Sequence, residues 1–122
     1  MTELTIKELG HLGDGLAEGP IYVPGGLPGE VVTGLLSGDR LMDMRIVTPS
    51  SDRVAPPCRH AKSCGGCLMQ HASDDLVAAW KHEITEKALL AHGIAGDVLA
   101  PVTSPSHSRR RAGFTARRTK KG

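Results

Sequence analysis

Along the first half of the chain, apolar and polar residues alternate in short bursts. Leu4 and Ile6 share one face of an extended run, Ile21, Tyr22 and Val23 form a second, and residues 31–36 and 41–47 form a third and a fourth. In the fourth run Met42, Met44 and Ile46 recur at period two, the spacing of one strand face, which suits the two methionines to filling gaps in a core rather than to binding a ligand. Turn residues separate the runs: Gly10 with Gly13 and Gly15, then the stretch 24–29, then Ser37, Gly38 and Asp39. Four short strands at this spacing predict a small antiparallel barrel over residues 2–48. The glycines of residues 10–15 resemble a phosphate cradle, but no helix follows them and no Lys with Ser or Thr closes the loop, so they read as a turn.

Beyond residue 73 the period changes. Ser73 can cap a helix whose first turn carries Asp74 and Asp75, and Leu76, Trp80, Ile84, Ala88 and Ala91 then recur at helical spacing until Gly93 supplies a stop. This predicts a helix over 74–92 with Trp80 and Ile84 turned to the core and Trp80 as its anchor; His82 and His92 fall off the stripe and read as solvated. Residues 48–57, TPSSDRVAPP, have no period and three prolines, and suit a linker. Residues 98–102 read as a short strand. In 109–118 Ala112, Phe114 and Ala116 alternate with more polar positions, which would set Arg109, Arg111 and Arg117 on the opposite side. The expected organisation is a barrel over 1–57, a cysteine-rich loop over 58–72, and a helix with the start of a further region over 73–122. The fold class is mainly β with one helix. A last strand with no partner after it suggests the front part of a longer protein.

Size and charge narrow the functional classes. At 122 residues and 12.9 kDa the chain suits one ordinary domain or two very small ones, and is too short for a complete multi-domain enzyme. Trp80, Tyr22 and Phe114 are the only aromatic residues, so a sheet that stacks several bases is excluded. No run of the sequence approaches a membrane span, and the start MTELTIKELG has no apolar signal stretch, which points to the cytoplasm and away from a membrane partner. Residues 1–97 hold all 13 acidic groups and 8 of the 15 Lys and Arg, a net −5, so the last 25 residues carry +7. That cluster, Arg109, Arg110, Arg111, Arg117, Arg118, Lys120 and Lys121, suits a polyanion such as RNA, although a short basic run also occurs as a plain solvated tail.

The sharpest chemistry lies in PCRHAKSCGGCLMQH. Its three cysteines, Cys58, Cys64 and Cys67, follow the spacing C-x5-C-x2-C. An odd number of cysteines in a cytoplasmic chain is poorly explained by disulfides, whereas thiolates converging from one loop are what a soft metal or an iron-sulfur cluster requires. Gly65 and Gly66 would let the backbone turn tightly around such a centre. Zinc and a [4Fe-4S] cluster both ordinarily take four ligands, and His60 or His71 could complete a zinc site, so spacing alone leaves the metal open.

The run VAPPCRHAKSCGGCLMQH resembles the cluster-binding signature of the bacterial RNA (uracil-5)-methyltransferases of the RumA type. Upstream, GHLGDGLAEGPIYVPGGLPGEVV resembles the TRAM domain of that family, an OB-like barrel; downstream, WKHEITEKALLAHGI and VTSPSHSRRRAGFTARR resemble the start of its central RNA-binding region. The resemblance implies that Cys58, Cys64 and Cys67 hold three corners of a [4Fe-4S] cluster whose fourth ligand is a more distant cysteine. It implies methyl transfer from S-adenosyl-L-methionine to carbon 5 of a uridine, with ribosomal RNA as the preferred substrate. Such a transfer consumes no electron, so the cluster is expected to position the region. The catalytic groups belong to a Rossmann-like domain for which these residues leave no room, so this chain alone is expected to be catalytically silent and monomeric, and none of its residues is assigned to catalysis or to binding S-adenosyl-L-methionine. Residues 1–57 hold 4 cations and 8 acids, a poor surface for RNA, which places phosphate contact on Arg109, Arg111 and Arg117. The alternative is a stand-alone zinc-stabilised barrel that binds RNA or protein without chemistry.

Overall fold

Each turn cluster in the first half of the sequence is where the chain reverses. The computed structural model describes residues 1–64 and 67–120. Its elements are β1 (Thr2–Leu9), β2 (Gly15–Ala17), β3 (Ile21–Val23), β4 (Val31–Ser37), β5 (Arg40–Thr48) and α1 (Asp74–Ala91). The strands close into a barrel in the order β1-β2-β3-β5-β4, so no edge is left open to another chain. Inside it, Ile6, Ala17, Val23, Val32 and Leu41 are buried, with Leu4, Ile21 and Met44 packed against them. This is the aliphatic core that a chain nearly free of aromatic residues must use.

The barrel is the expected one with three amendments. β2 is a strand of its own, three residues long and paired with both β1 and β3. The closure between β3 and β5 is parallel, through Tyr22 and Arg40, so the barrel is not wholly antiparallel. Finally, the single face expected for Met42, Met44 and Ile46 does not exist. Thr33 pairs with Arg45 but Leu35 pairs with Met42, so two steps along β4 match three along β5, and Asp43 within this bulge adopts φ 52°. The extra residue shifts the phase: Leu41 is buried, Met42 is 47% exposed and Met44 turns back to the core. Gly34 lies against the bulge, where a Cβ would stand 2.5 Å from the Met42 carbonyl oxygen and 2.8 Å from Leu41 Cγ.

Helix α1 begins as its sequence dictates. The Ser73 hydroxyl accepts from Leu76 N–H and donates to Asp52 Oδ1, and the Ser73 N–H donates to the Asp52 carbonyl. The C-terminal turn closes through the His92, Gly93 and Ile94 amides. Trp80 Nε1–H donates to the Gly10 carbonyl at 3.0 Å, so the anchor rests on the β1–β2 turn. The apolar stripe is only half-buried, Ala88 and Ala91 are exposed, and no helix residue is fully buried. His82, expected to be solvated, is half-buried: Nε2 meets the Val98 carbonyl at 2.9 Å and Nδ1 meets Glu86 at 2.7 Å.

The strands expected at 98–102 and within 109–118 do not form. No regular element follows α1 among the described residues, and Phe114 is 88% exposed. A strand gains its hydrogen bonds only from a neighbour, and these residues meet none.

Candidate metal centre and its anchorage

The three cysteines sit on one excursion of the chain that is tied shut at its base. Arg53 forms an isolated antiparallel bridge with Ala72, and the Val54 N–H donates to the His71 carbonyl. The described residues from 54 to 71 therefore belong to a loop whose two ends meet. Within it the chain winds through successive turns: the Ala61 amide donates to the Cys58 carbonyl, and the Ser63 and Cys64 amides donate to the His60 carbonyl. The His60 N–H also donates to Cys58 Sγ at 3.4 Å, and the Cys58 N–H donates to Gln70 Oε1 across the loop. The amide donor aimed at sulfur helps to hold the Cys58 side chain in place.

Cys58, Cys64 and Cys67 are all free and exposed. Cys67 borders a cleft shared with Val54, Pro57, Met69, Gln70 and Val77, between the loop and the start of α1. The donor set fits a thiolate-bound centre in chemistry: three uncommitted thiols on one loop, with a backbone amide already turned to one of them. Their sulfurs are not drawn into a single coordination shell, since no three His, Cys, Asp or Glu among the described residues form a group of that size. The tight turn expected of Gly65 and Gly66 lies outside the described residues.

His60, one of the two histidines that spacing offers to zinc, stays on the loop surface beside Arg59. His71 turns the other way. Its Nε2 is buried without a hydrogen-bond partner, and burial, with the positive charge of Arg53, lowers its pKa from the usual 6.5 against an opposing pull from Glu30. It is a neutral imidazole in the base of the loop.

That base is built on a residue that pattern reading passes over. Glu30 is fully buried, and its carboxylate takes four donors: Leu27 N–H at 2.7 Å and Arg53 Nη2 at 2.9 Å on Oε1, Arg53 Nε at 2.7 Å and Ser50 N–H at 3.1 Å on Oε2. Burial pushes its pKa up, but the Arg53 fork and the two amides outweigh that and hold it below the usual 4.5. Arg53 Nη2 donates also to the Gly25 carbonyl.

The basic segment stands apart. Arg109, Arg111 and Arg117 are exposed, and none is in an ion pair among the described residues. Because no strand forms there, the arrangement of three arginines on one side with Phe114 packed on the other is not present. Lys121 lies outside the described residues.

No family model matches the chain. It is 43% identical over 98% of its length to an uncharacterized RNA methyltransferase of Brucella suis, and 42% identical over all of it to one of Caulobacter vibrioides. The 23S rRNA (uracil(1939)-C(5))-methyltransferase RlmD of Shewanella baltica is 38% identical over 89% of the chain. By sequence, the chain is similar to the first part of proteins named RNA methyltransferases. It spans about 30% of the length of the first two relatives and 27% of the third. Among solved structures, the tRNA (uracil-54, C5)-methyltransferase of Pyrococcus abyssi, in complex with S-adenosyl-L-homocysteine, matches 80% of the chain and 23% of its own, with a TM-score of 0.57 and 25% identity. The barrel and helix are thus a fold that an RNA methyltransferase also carries.

Proposed function

We propose that this chain is the N-terminal, TRAM-like region of an RNA (uracil-5)-methyltransferase, binding RNA and three corners of a [4Fe-4S] cluster. The intact protein transfers methyl from S-adenosyl-L-methionine to carbon 5 of a uridine in ribosomal RNA. The observation that carries the reading is the loop itself: Cys58, Cys64 and Cys67, all free, on one excursion closed at its base. The RlmD relative, named for uracil-C5 methylation of 23S rRNA, favours ribosomal RNA as substrate.

Cys58, Cys64 and Cys67 would hold the cluster, and a cluster held there supplies a rigid cross-link among thiolates. The protein's own part is to present the sulfurs: His60 N–H steadies Cys58, and Gln70 ties Cys58 to the far side of the loop. Arg109, Arg111 and Arg117 are the phosphate contacts, and their exposure leaves them free to meet RNA. The protein works as a monomer in the cytoplasm; no helix among the described residues is long and apolar enough to cross a membrane.

Two measurements test this. The intact protein, purified anaerobically, should yield about four iron and four labile sulfide per chain, and Cys64→Ser should reduce both sharply. Stoichiometric zinc without sulfide would replace the cluster by a zinc module. Incubation with labelled S-adenosyl-L-methionine and ribosomal RNA should place 5-methyluridine at one position; label in transfer RNA alone would move the substrate assignment.

A further inference from the structure

Arg53 joins three parts of the molecule. Its side chain forks onto both oxygens of Glu30 and reaches the Gly25 carbonyl, both within the barrel. Its backbone bridges Ala72 at the closing end of the cysteine loop. Its neighbours extend the seam: Val54 N–H donates to the His71 carbonyl, and the Asp52 carbonyl and carboxylate receive the Ser73 amide and hydroxyl at the cap of α1. Barrel, loop and helix converge on residues 52–54.

The chemistry of this joint is unusual for its place. Glutamate is almost never fully buried unless paired, and an apolar contact of similar size would be at least as stable. What the ion pair supplies is direction. A planar guanidinium meeting a carboxylate through two parallel hydrogen bonds fixes orientation, which an aliphatic contact leaves free to slide. Glu30 is held in its turn by Leu27 N–H and Ser50 N–H, so the orientation is referred to the barrel.

We propose that Glu30 and Arg53 are positioning residues for the cysteine loop: the fork fixes residues 52–54 against the barrel, and through their seam with residues 71–73 sets where Cys58, Cys64 and Cys67 are presented. For the metal this rests on the reading of those cysteines as ligands. For the loop it stands on the hydrogen bonds alone.

The test uses Arg53→Lys, which keeps the charge but cannot fork, and Glu30→Gln, which keeps the shape but loses the charge. Two readouts are taken on the whole chain: amide hydrogen exchange, and anaerobic titration with Co(II), followed by its thiolate charge-transfer absorption. In both variants the Val54 and Ser73 amides should exchange at least about tenfold faster while the paired amides of β4 and β5 keep their protection. Co(II) affinity should fall at least about tenfold. Ser73→Ala, which leaves the fork intact, should change Co(II) affinity less than about twofold. Unchanged exchange at Val54 and Ser73 would overturn the proposal. So would equal loss of protection throughout β4 and β5 in both variants, because the pair would then be holding the barrel rather than aiming the loop. Equal weakening of Co(II) binding by Ser73→Ala would do the same, by moving the positioning to the helix cap. If wild type gives no thiolate absorption with Co(II), the metal reading fails, and the exchange data still decide whether the pair positions the loop.

Discussion

Replacing Trp80 by Phe should loosen α1 from the barrel by an amount the structure lets one work out. The indole Nε1–H donates to the Gly10 carbonyl at 3.0 Å. The ring also lies over Gly13, where a Cβ would touch Met69 Sδ at 3.4 Å and the indole at 3.8 Å. Phe keeps most of the ring and deletes the donor. A hydrogen bond of this kind contributes about 0.5–1.5 kcal/mol net, and because Gly10 is only half-buried its carbonyl can turn to water and avoid the larger cost of an orphaned acceptor. Trp80→Phe should therefore cost about 1 kcal/mol. Trp80→Ala also forfeits the ring, and half of the roughly 150–250 Å² an aromatic side chain can bury, at about 25 cal/mol per Å², adds about 2–3 kcal/mol. The exposed Lys87–Glu8 ion pair, another tie of α1 to the barrel, is screened by solvent and cannot compensate. For a folded unit of this size each kcal/mol shifts Tm by about 4–8 °C, so the Phe variant should melt about 4–8 °C early and the Ala variant well beyond 10 °C early. Urea and thermal melts followed by circular dichroism would measure both, and in wild type the fluorescence of the single tryptophan should report the same transition. Coincident melts for wild type and Trp80→Ala would refute the reasoning, since the helix would then be docked by something other than this ring.

Lowering the pH should destabilise the chain in two steps. The folded-state pKa of His71 lies below its usual 6.5, so the unfolded chain takes up that proton first, and stability present above pH 6.5 is lost as pH falls toward the folded value. Glu30 is likewise depressed, from 4.5, so its contribution is complete above that pH and disappears as pH falls through the folded pKa; in urea titrations Glu30→Gln should lack the second step. Gly34→Ala should lower the urea midpoint by an amount equivalent to about 1–3 kcal/mol, because the new methyl meets the Met42 carbonyl and Leu41; a neutral substitution would mean that the bulge yields freely. Replacing Arg109, Arg111 and Arg117 together by Ala in the intact protein should weaken RNA binding similarly across sequences. It should also reduce the log-log salt slope by up to about 0.7 for each phosphate that is no longer neutralised, and an unchanged slope would leave the segment a solvated face.

Most of the barrel was legible in the sequence because its signals are local. The alternation around Leu4 and Ile6 and the turn glycines report on neighbours a few residues away, and the cap at Ser73 lies beside the helix it starts. What escaped has a common physical origin in partners far along the chain. The three residues of β2 carry no alternation long enough to register, and they become a strand because β1 and β3 flank them. The bulge at Asp43 broke a period that looked continuous. The strands expected at 98–102 and 109–118 had the right alternation and found no neighbour. For the candidate site the cysteines were plain, since their spacing is the signal. Glu30 was not, because in LPGE it looks like one more polar turn residue, and nothing local marks it as the partner of an arginine 23 positions later. A lone arginine in a proline-rich linker was the one available hint.

The bridge between Arg53 and Ala72 makes the cysteine excursion a cassette. Because entry and exit meet at one pair of residues, the length of what lies between them is nearly invisible to the rest of the molecule. Lengthening a flexible loop costs only about 0.6 kcal/mol for each doubling, so insertions ahead of Met69, which itself lies near Gly13 and Trp80, should leave the barrel and α1 in place. The same closure would let the segment be carried to another scaffold, provided that scaffold offers two strands at matching separation and a carboxylate to orient the arginine. The length of the cysteine loop and the architecture that carries it can thus vary on separate schedules, one inside the bridge and one outside it.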